Sequence, residues 1–240
     1  MASGRENSAV RRTCTLPLSF VPYLRVGNPI ERRPWLTTDE AEKILLGTIR
    51  GAAHLHSLGV VHGDLSLSNI LLKTGDEVRI ADFGAVTGHT FLTGEKLCVA
   101  YIRPPEAILG SERKGPGVDA WAVGLIAIAI YTGKVPTLGS SSEEKERILQ
   151  TFCAAFQLLP PITEENWPGH RLLPRWKEYE QFVPVSPRCG GLRDYICEHY
   201  LGQKHHDEPL RAASFIEGSL RWDPDARYSL QHMGTKLVGC

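Results

Sequence analysis

Chemistry is densest in the stretch Val61-His62-Gly63-Asp64-Leu65-Ser66-Leu67-Ser68-Asn69-Ile70-Leu71-Leu72 and, downstream, in Ile80-Ala81-Asp82-Phe83-Gly84. An aspartate stands five positions before an asparagine, an apolar strand follows, and a second aspartate is capped by Phe-Gly. That order would set three oxygen-bearing side chains near one another at strand ends. Asn69 and Asp82 offer hard oxygen donors of the kind that Mg²⁺ takes together with phosphate oxygens. Asp64 is then left to accept a proton from a hydroxyl nucleophile. Positioning and neutralisation of phosphate charge are what phosphoryl transfer asks of a protein. Any one of these aspartates would fit a capped turn; their joint order and spacing carries the reading.

The elements that must position these groups are legible around them. Thr37-Thr38-Asp39-Glu40 signals a helix start, and apolar residues recur at Ile44, Leu45, Ile49, Ala52, Ala53 and Leu55 with helical spacing. Gly59 closes that helix, and Val60-Val61 begins a short element. Ile70–Leu72 and Val78–Ile80 read as two short strands joined by a turn at Thr74-Gly75-Asp76. A Gly/Thr-rich loop runs from Gly84 to about Ala100. The run Ala120–Tyr131 is apolar on every side and reads as a helix buried in the core. From about Ser142 onward helical patches alternate with Pro-rich connections, so the chain is mostly helical with little strand.

Composition narrows the class. The chain has 240 residues, with 27 Lys+Arg against 27 Asp+Glu and a formal net charge of zero. Such a balance argues against a protein built to coat nucleic acid or an acidic membrane surface. The 42% hydrophobic and 22% charged content is that of a globular protein and excludes disordered, collagen-like and coiled-coil chains. The six cysteines are scattered, with no C-x-x-C pair, which points to a reducing compartment, cytoplasmic or nuclear. The longest apolar run, Ala120–Tyr131, falls short of the roughly 20 residues a membrane span needs.

On these residues the chain resembles the eukaryotic protein kinases. His62–Leu72 is similar to their catalytic loop and Asp82-Phe83-Gly84 to their D-F-G element. Arg103-Pro104-Pro105-Glu106 resembles the A-P-E element that ends the activation segment. Asp119-Ala120-Trp121-Ala122-Val123-Gly124 resembles the D-x-W-x-x-G that opens the buried central helix, and Asp223-Pro224-Asp225-Ala226-Arg227 the late D-P-x-x-R. Glu164-Glu165-Asn166-Trp167-Pro168-Gly169 resembles the insert of the cyclin-dependent branch, which the arginine before Pro-Pro-Glu also fits. The resemblance implies an α+β, protein-kinase-like fold, with a mostly helical C-lobe and a fragmentary N-lobe. Residues 1–18 would be a loose leading segment and 19–235 the kinase domain, hinge remnant plus C-lobe. It implies ATP and Mg²⁺ as cofactors, a protein Ser/Thr hydroxyl as acceptor, and a possible regulatory protein partner, with no nucleic acid and no membrane. Asp64 would orient the hydroxyl, and Asn69 and Asp82 would hold Mg²⁺. His62 would brace the backbone near Phe83, Gly84 would permit the turn into the activation segment, and Glu106 would pair with Arg227.

The departures are equally specific. Upstream of His62 there is no G-x-G-x-x-G and no V-A-I-K, so Phe20-Val21-Pro22-Tyr23 reads as the hinge. Gly63 replaces the arginine before the catalytic aspartate, so a phosphorylated activation segment cannot dock there in the usual way. Ser66 replaces a lysine that faces the γ-phosphate; a serine there could still donate a hydrogen bond to the nucleotide. Val99 stands where the branch has a threonine. His-Gly-Asp with Asn five residues on is also how aminoglycoside and choline kinase-like phosphotransferases are written, which leaves small-molecule transfer as a rival. A pseudokinase or truncated lobe acting as a binding module is the other alternative. His54 and His56 read as packed or surface residues, His205-His206 as a solvated loop, and Trp121 and Trp222 as core. Thr87, Thr90, Thr93 and Cys98 fall in the presumed activation segment.

Overall fold

The computed structural model describes residues 24–25, 37–73, 77–88, 102–112, 115–134, 142–184, 191–202 and 207–238. Val99, Thr90, Thr93, Cys98, His205, His206, the Phe20–Tyr23 stretch and the Thr74–Asp76 turn lie outside them.

Helix α1, Thr38–Ser57, begins as its first residues dictate. The Thr37 side chain accepts the Glu40 N–H at 3.3 Å, and Glu40 Oε2 accepts the Thr37 N–H at 2.9 Å. This reciprocal box satisfies two of the donors a helix start leaves open. Ala41, Ile44, Leu45, Ile49 and Ala52 bury one stripe of α1. The helix stops at Ser57, and Gly59 takes a φ of +74°, a turn that a residue without Cβ makes at no steric cost.

Strands β2, Val60–Val61, β3, Ile70–Lys73, and β4, Glu77–Ile80, follow. β3 and β4 form an antiparallel hairpin with Ile70 opposite Ile80, and β1, Leu24–Arg25, adds on the other side of β3. The hairpin packs on α1 over two glycines. A Cβ on Gly47 would come within 2.5 Å of Val78 Cβ, and one on Gly51 within 2.9 Å of Ile80 Cδ1. The loop expected after Gly84 holds a further strand: β5, Thr87–Gly88, pairs antiparallel with β2. Two-residue strands carry too little periodicity to be read from sequence.

Short α2, Pro105–Ile108, leads to α3, Gly117–Thr132, buried from Val118 to Thr132. Its apolar surroundings are supplied by α1, by α4, Glu144–Leu158, by α6, Gly191–His199, and by α7, Glu208–Ser219. Gly124 lets α3 close on the end of α7, since a Cβ there would meet Leu220 at 2.8 Å and Ser219 at 2.9 Å. Trp121, Phe152, Phe156 and Trp222 form one aromatic cluster; the Trp222 Nε1–H donates to Pro160 O at 2.7 Å. α5, Trp176–Tyr179, and α8, Leu230–Val238, complete the body. Among the described residues no helix is long and apolar enough to cross a membrane.

Candidate active site

The β3–β4 hairpin brings the two halves of the chemistry together. Asn69 immediately precedes β3 and Ala81-Asp82 immediately follow β4, so both stand at the same end of the ladder. The Ala81 N–H donates to Asn69 O at 2.8 Å and ties the two turns. Asn69, buried at the end of a 3₁₀ turn, donates from Nδ2 to Asp64 O at 2.8 Å and, more weakly, to Asp64 Oδ2 at 3.4 Å. With its NH₂ group committed to the loop, the Asn69 amide keeps its oxygen as an acceptor.

Asp82 has φ +65° and ψ +75°, the one non-glycine with positive φ among the described residues. A left-handed aspartate is a strained backbone held by its surroundings. Its carboxylate accepts the Gly84 N–H at 3.3 Å and is exposed. Gly84 suits this bond, because a Cβ there would sit 3.2 Å from Asp82 Oδ1. Phe83 is 53% exposed, with its ring 5.4 Å from that of His62.

His62 is wholly buried and works as a strut. Its Nδ1 accepts the Asp64 N–H at 3.3 Å, and its Nε2 donates to Ala81 O at 3.2 Å. The Nδ1 bond assigns the Nε2–H tautomer. Behind the loop, Asp119 at the start of α3 accepts three donors: the His62 N–H at 2.8 Å, the Gly63 N–H at 2.9 Å and His56 Nε2 at 2.8 Å. Gly63 sits at φ +77°, where a side chain would be strained.

Ser66, expected from the sequence to face the nucleotide, is 0% exposed and its hydroxyl lies 2.7 Å from Ser68 Oγ. His56 is the residue the sequence reading missed. Leu45, Ile49 and Ala52 mark the buried stripe of α1, and the same spacing continues to His56, whereas His54 falls off it.

Glu106 and Arg227 lie further from the hairpin and meet in a buried, two-pronged ion pair, Nη1–Oε1 and Nη2–Oε2 both at 2.7 Å. The remaining guanidinium donors reach Arg221 O, Gly117 O and Trp222 O, and the guanidinium stacks 4.9 Å from the Trp121 ring centre. All five N–H groups of Arg227 are therefore used. The pair locks the Pro-Pro-Glu segment against the start of α3 and the turn before α8.

Comparison with known proteins agrees with this architecture. Residues 12–236 match the protein kinase domain family, and the chain belongs to that family. Among characterised relatives it is similar to cyclin-dependent kinase B1-1 of Arabidopsis thaliana, 33% identical over 172 residues, covering 69% of this chain and 52% of that protein. It is also similar to cyclin-dependent kinase 14 of Mus musculus, 29% identical over 230 residues, covering 92% of this chain and 46% of that protein. In fold it matches the yeast RNA Pol II CTD kinase CTDK-1 complex, with a TM-score of 0.70 at 19% identity, over 87% of this chain and 65% of that one. The chain spans about half or less of the length of the curated relatives it matches.

Proposed function

We propose that the chain transfers the γ-phosphoryl group of ATP to a Ser or Thr hydroxyl of a protein. The observation that carries this reading is the convergence at one end of the β3–β4 hairpin: Asp64 bonded to Asn69, Asn69 tied through Ala81 to Asp82, and Asp82 held in a left-handed turn. The donor set fits Mg²⁺: one amide oxygen, freed because its NH₂ is engaged, and one exposed carboxylate, with phosphates and water to complete six oxygens. Asn69 and Asp82 would hold the ion, which when bound neutralises charge on the phosphates.

Asp64 acts on the acceptor. Its half-buried carboxylate, oriented by Asn69 and by its own N–H on His62, takes the hydroxyl proton. The hydroxyl oxygen forms its bond to the γ-phosphorus as the bond from that phosphorus to the β–γ bridging oxygen breaks, and ADP leaves. The names of the relatives support a regulatory protein partner of the cyclin type.

A second reading, a binding module without turnover, draws on Ser66: a buried serine stands where a phosphate-facing lysine is usual. One experiment separates the two. Mg²⁺-dependent elevation of the melting temperature by ATP, with label transferred to a basic protein and abolished in Asp64→Asn and Asp82→Asn, is expected of the enzyme. No melting shift and no transfer by the wild type would refute the enzymatic reading.

A further inference from the structure

We propose that the helical body contains a binding site for one buried water molecule, which accepts a hydrogen bond from the Trp121 indole, donates one to the Thr151 hydroxyl, and so joins α3 to α4. The site stands apart from the function proposed above and does not depend on it.

The starting point is an unmet donor. Trp121 is 2% exposed, and among the described residues its Nε1–H is buried without an acceptor. An indole N–H can only donate. Left unpaired in an interior it is costly, and such groups in folded proteins are nearly always served by the protein or by an ordered water. Its ring neighbours cannot serve it. The Arg227 guanidinium, 4.9 Å from the ring centre, carries donors alone. Trp222, with its ring 6.5 Å away, is itself a donor and spends its Nε1–H on Pro160 O at 2.7 Å. Two tryptophans of one aromatic cluster thus differ: one has a backbone carbonyl, and the other has a gap.

That gap has the size and chemistry of a water site. Trp121 lines a small cavity between α3, α4 and the end of α7, with Leu125, Ala155, Leu158 and Leu220 as apolar walls. Thr151 lines it too, one turn before Ala155 on the same face of α4. The Thr151 hydroxyl donates to Arg147 O at 2.9 Å, so its proton is spent and its oxygen still accepts. The lining therefore offers one donor and one acceptor that do not bond each other. Whatever joins them must accept from the first and donate to the second, and the cavity has room for about one water molecule. Water does both. An apolar occupant would leave the indole unmet, and a larger polar one would have to part the helices. Two partners stand at the low end of the roughly two to four that buried waters make, so the hold on the water leans on Thr151.

The test uses the full chain, ligand-free, with isotope-labelled tryptophan, as wild type, Thr151→Val and Thr151→Ser; Trp121→Phe identifies the Trp121 indole signal. Cross-relaxation between water and the indole protons is read by NMR in the laboratory and rotating frames, which separates a resident water from proton exchange. In the wild type the Trp121 indole proton is expected to contact a long-lived water, and the Trp222 indole proton, closed off by Pro160 O, is not. Valine keeps the shape of threonine and removes the acceptor. Loss of that hydrogen bond weakens the hold on the water about two- to tenfold, so the Trp121 contact falls to about half or less in Thr151→Val. Thr151→Ser, which keeps the hydroxyl, retains it. A wild type without the contact at Trp121, or with an equal one at Trp222, overturns the proposal with no variant needed. Undiminished contact in Thr151→Val, or a loss in Thr151→Ser as large as in Thr151→Val, overturns it as well.

Discussion

Removing Arg227 should cost the protein more than any other single polar change among its described residues, and the structure says why. Glu106 is 2% exposed, and both of its oxygens end on Arg227 at 2.7 Å. Arg227→Met keeps an apolar stem over Trp121 but leaves that carboxylate uncompensated, and Gly117 O, Arg221 O and Trp222 O lose a donor. Breaking a buried ion pair from one side costs about 3–5 kcal/mol. That is a large share of the ~5–15 kcal/mol by which domains are stable. In urea, with an m-value of about 2–3 kcal/mol/M, the midpoint should fall by about 1–2.5 M with the slope unchanged. The double variant Glu106→Leu/Arg227→Met removes both charges and should recover the part of the loss due to the uncompensated carboxylate, while Gly117 O, Arg221 O and Trp222 O stay without their donor. The reasoning fails if Arg227→Met lowers stability by less than about 1 kcal/mol, or if the double variant is no more stable than Arg227→Met alone.

Further predictions follow from single contacts. Gly47→Ala forces a methyl to within 2.5 Å of Val78 Cβ, so it should destabilise by about 1–3 kcal/mol in thermal melts despite alanine's better helix propensity. Thr37→Ala opens the capping box of α1 and should cost about 1 kcal/mol by urea titration, while Thr37→Ser should cost little. Gly63→Ala places a Cβ at φ +77° and should cost about 1–2 kcal/mol by the same titration. Arg175 hydrogen-bonds Glu178 and holds its carboxyl below the ordinary value. A lowered folded value means that this contribution is present above the unfolded pKa and is lost as pH falls through the folded one. The pair is exposed, so the effect stays below about 1 kcal/mol, and Glu178→Gln should flatten the acid limb of a stability–pH curve by that amount.

The local elements were open to reading because their causes are local. Thr37 and Glu40 announce a helix start through a bond that spans three residues. Ala120–Tyr131 could only be interior, since a helix apolar on every side has no face to give to water. Pairing of the Ile70–Leu72 and Val78–Ile80 runs follows from their separation by a short polar turn. The candidate site was legible for a related reason. Asp64, Asn69 and Asp82 are close along the chain, and one hairpin is enough to gather them.

Other features escaped because their causes are distant. β2 pairs with β5 across the whole hairpin, and neither two-residue strand has a period to display. The burial of Ser66 and its contact with Ser68 had no signal in the sequence. His56 carried a faint signal as the next step on the buried stripe of α1, but its meaning lay in an aspartate 63 residues away.

What the amino-acid order determined by itself was the family, the helical body and the set of groups able to handle a phosphate, because short-range spacing and turn chemistry decide those. Only the tertiary structure decided which groups converge at one end of the hairpin and what stands behind them. A buried carboxylate such as Asp119 takes its donors from whatever the fold brings within hydrogen-bonding distance, and separation along the chain has no bearing on that choice.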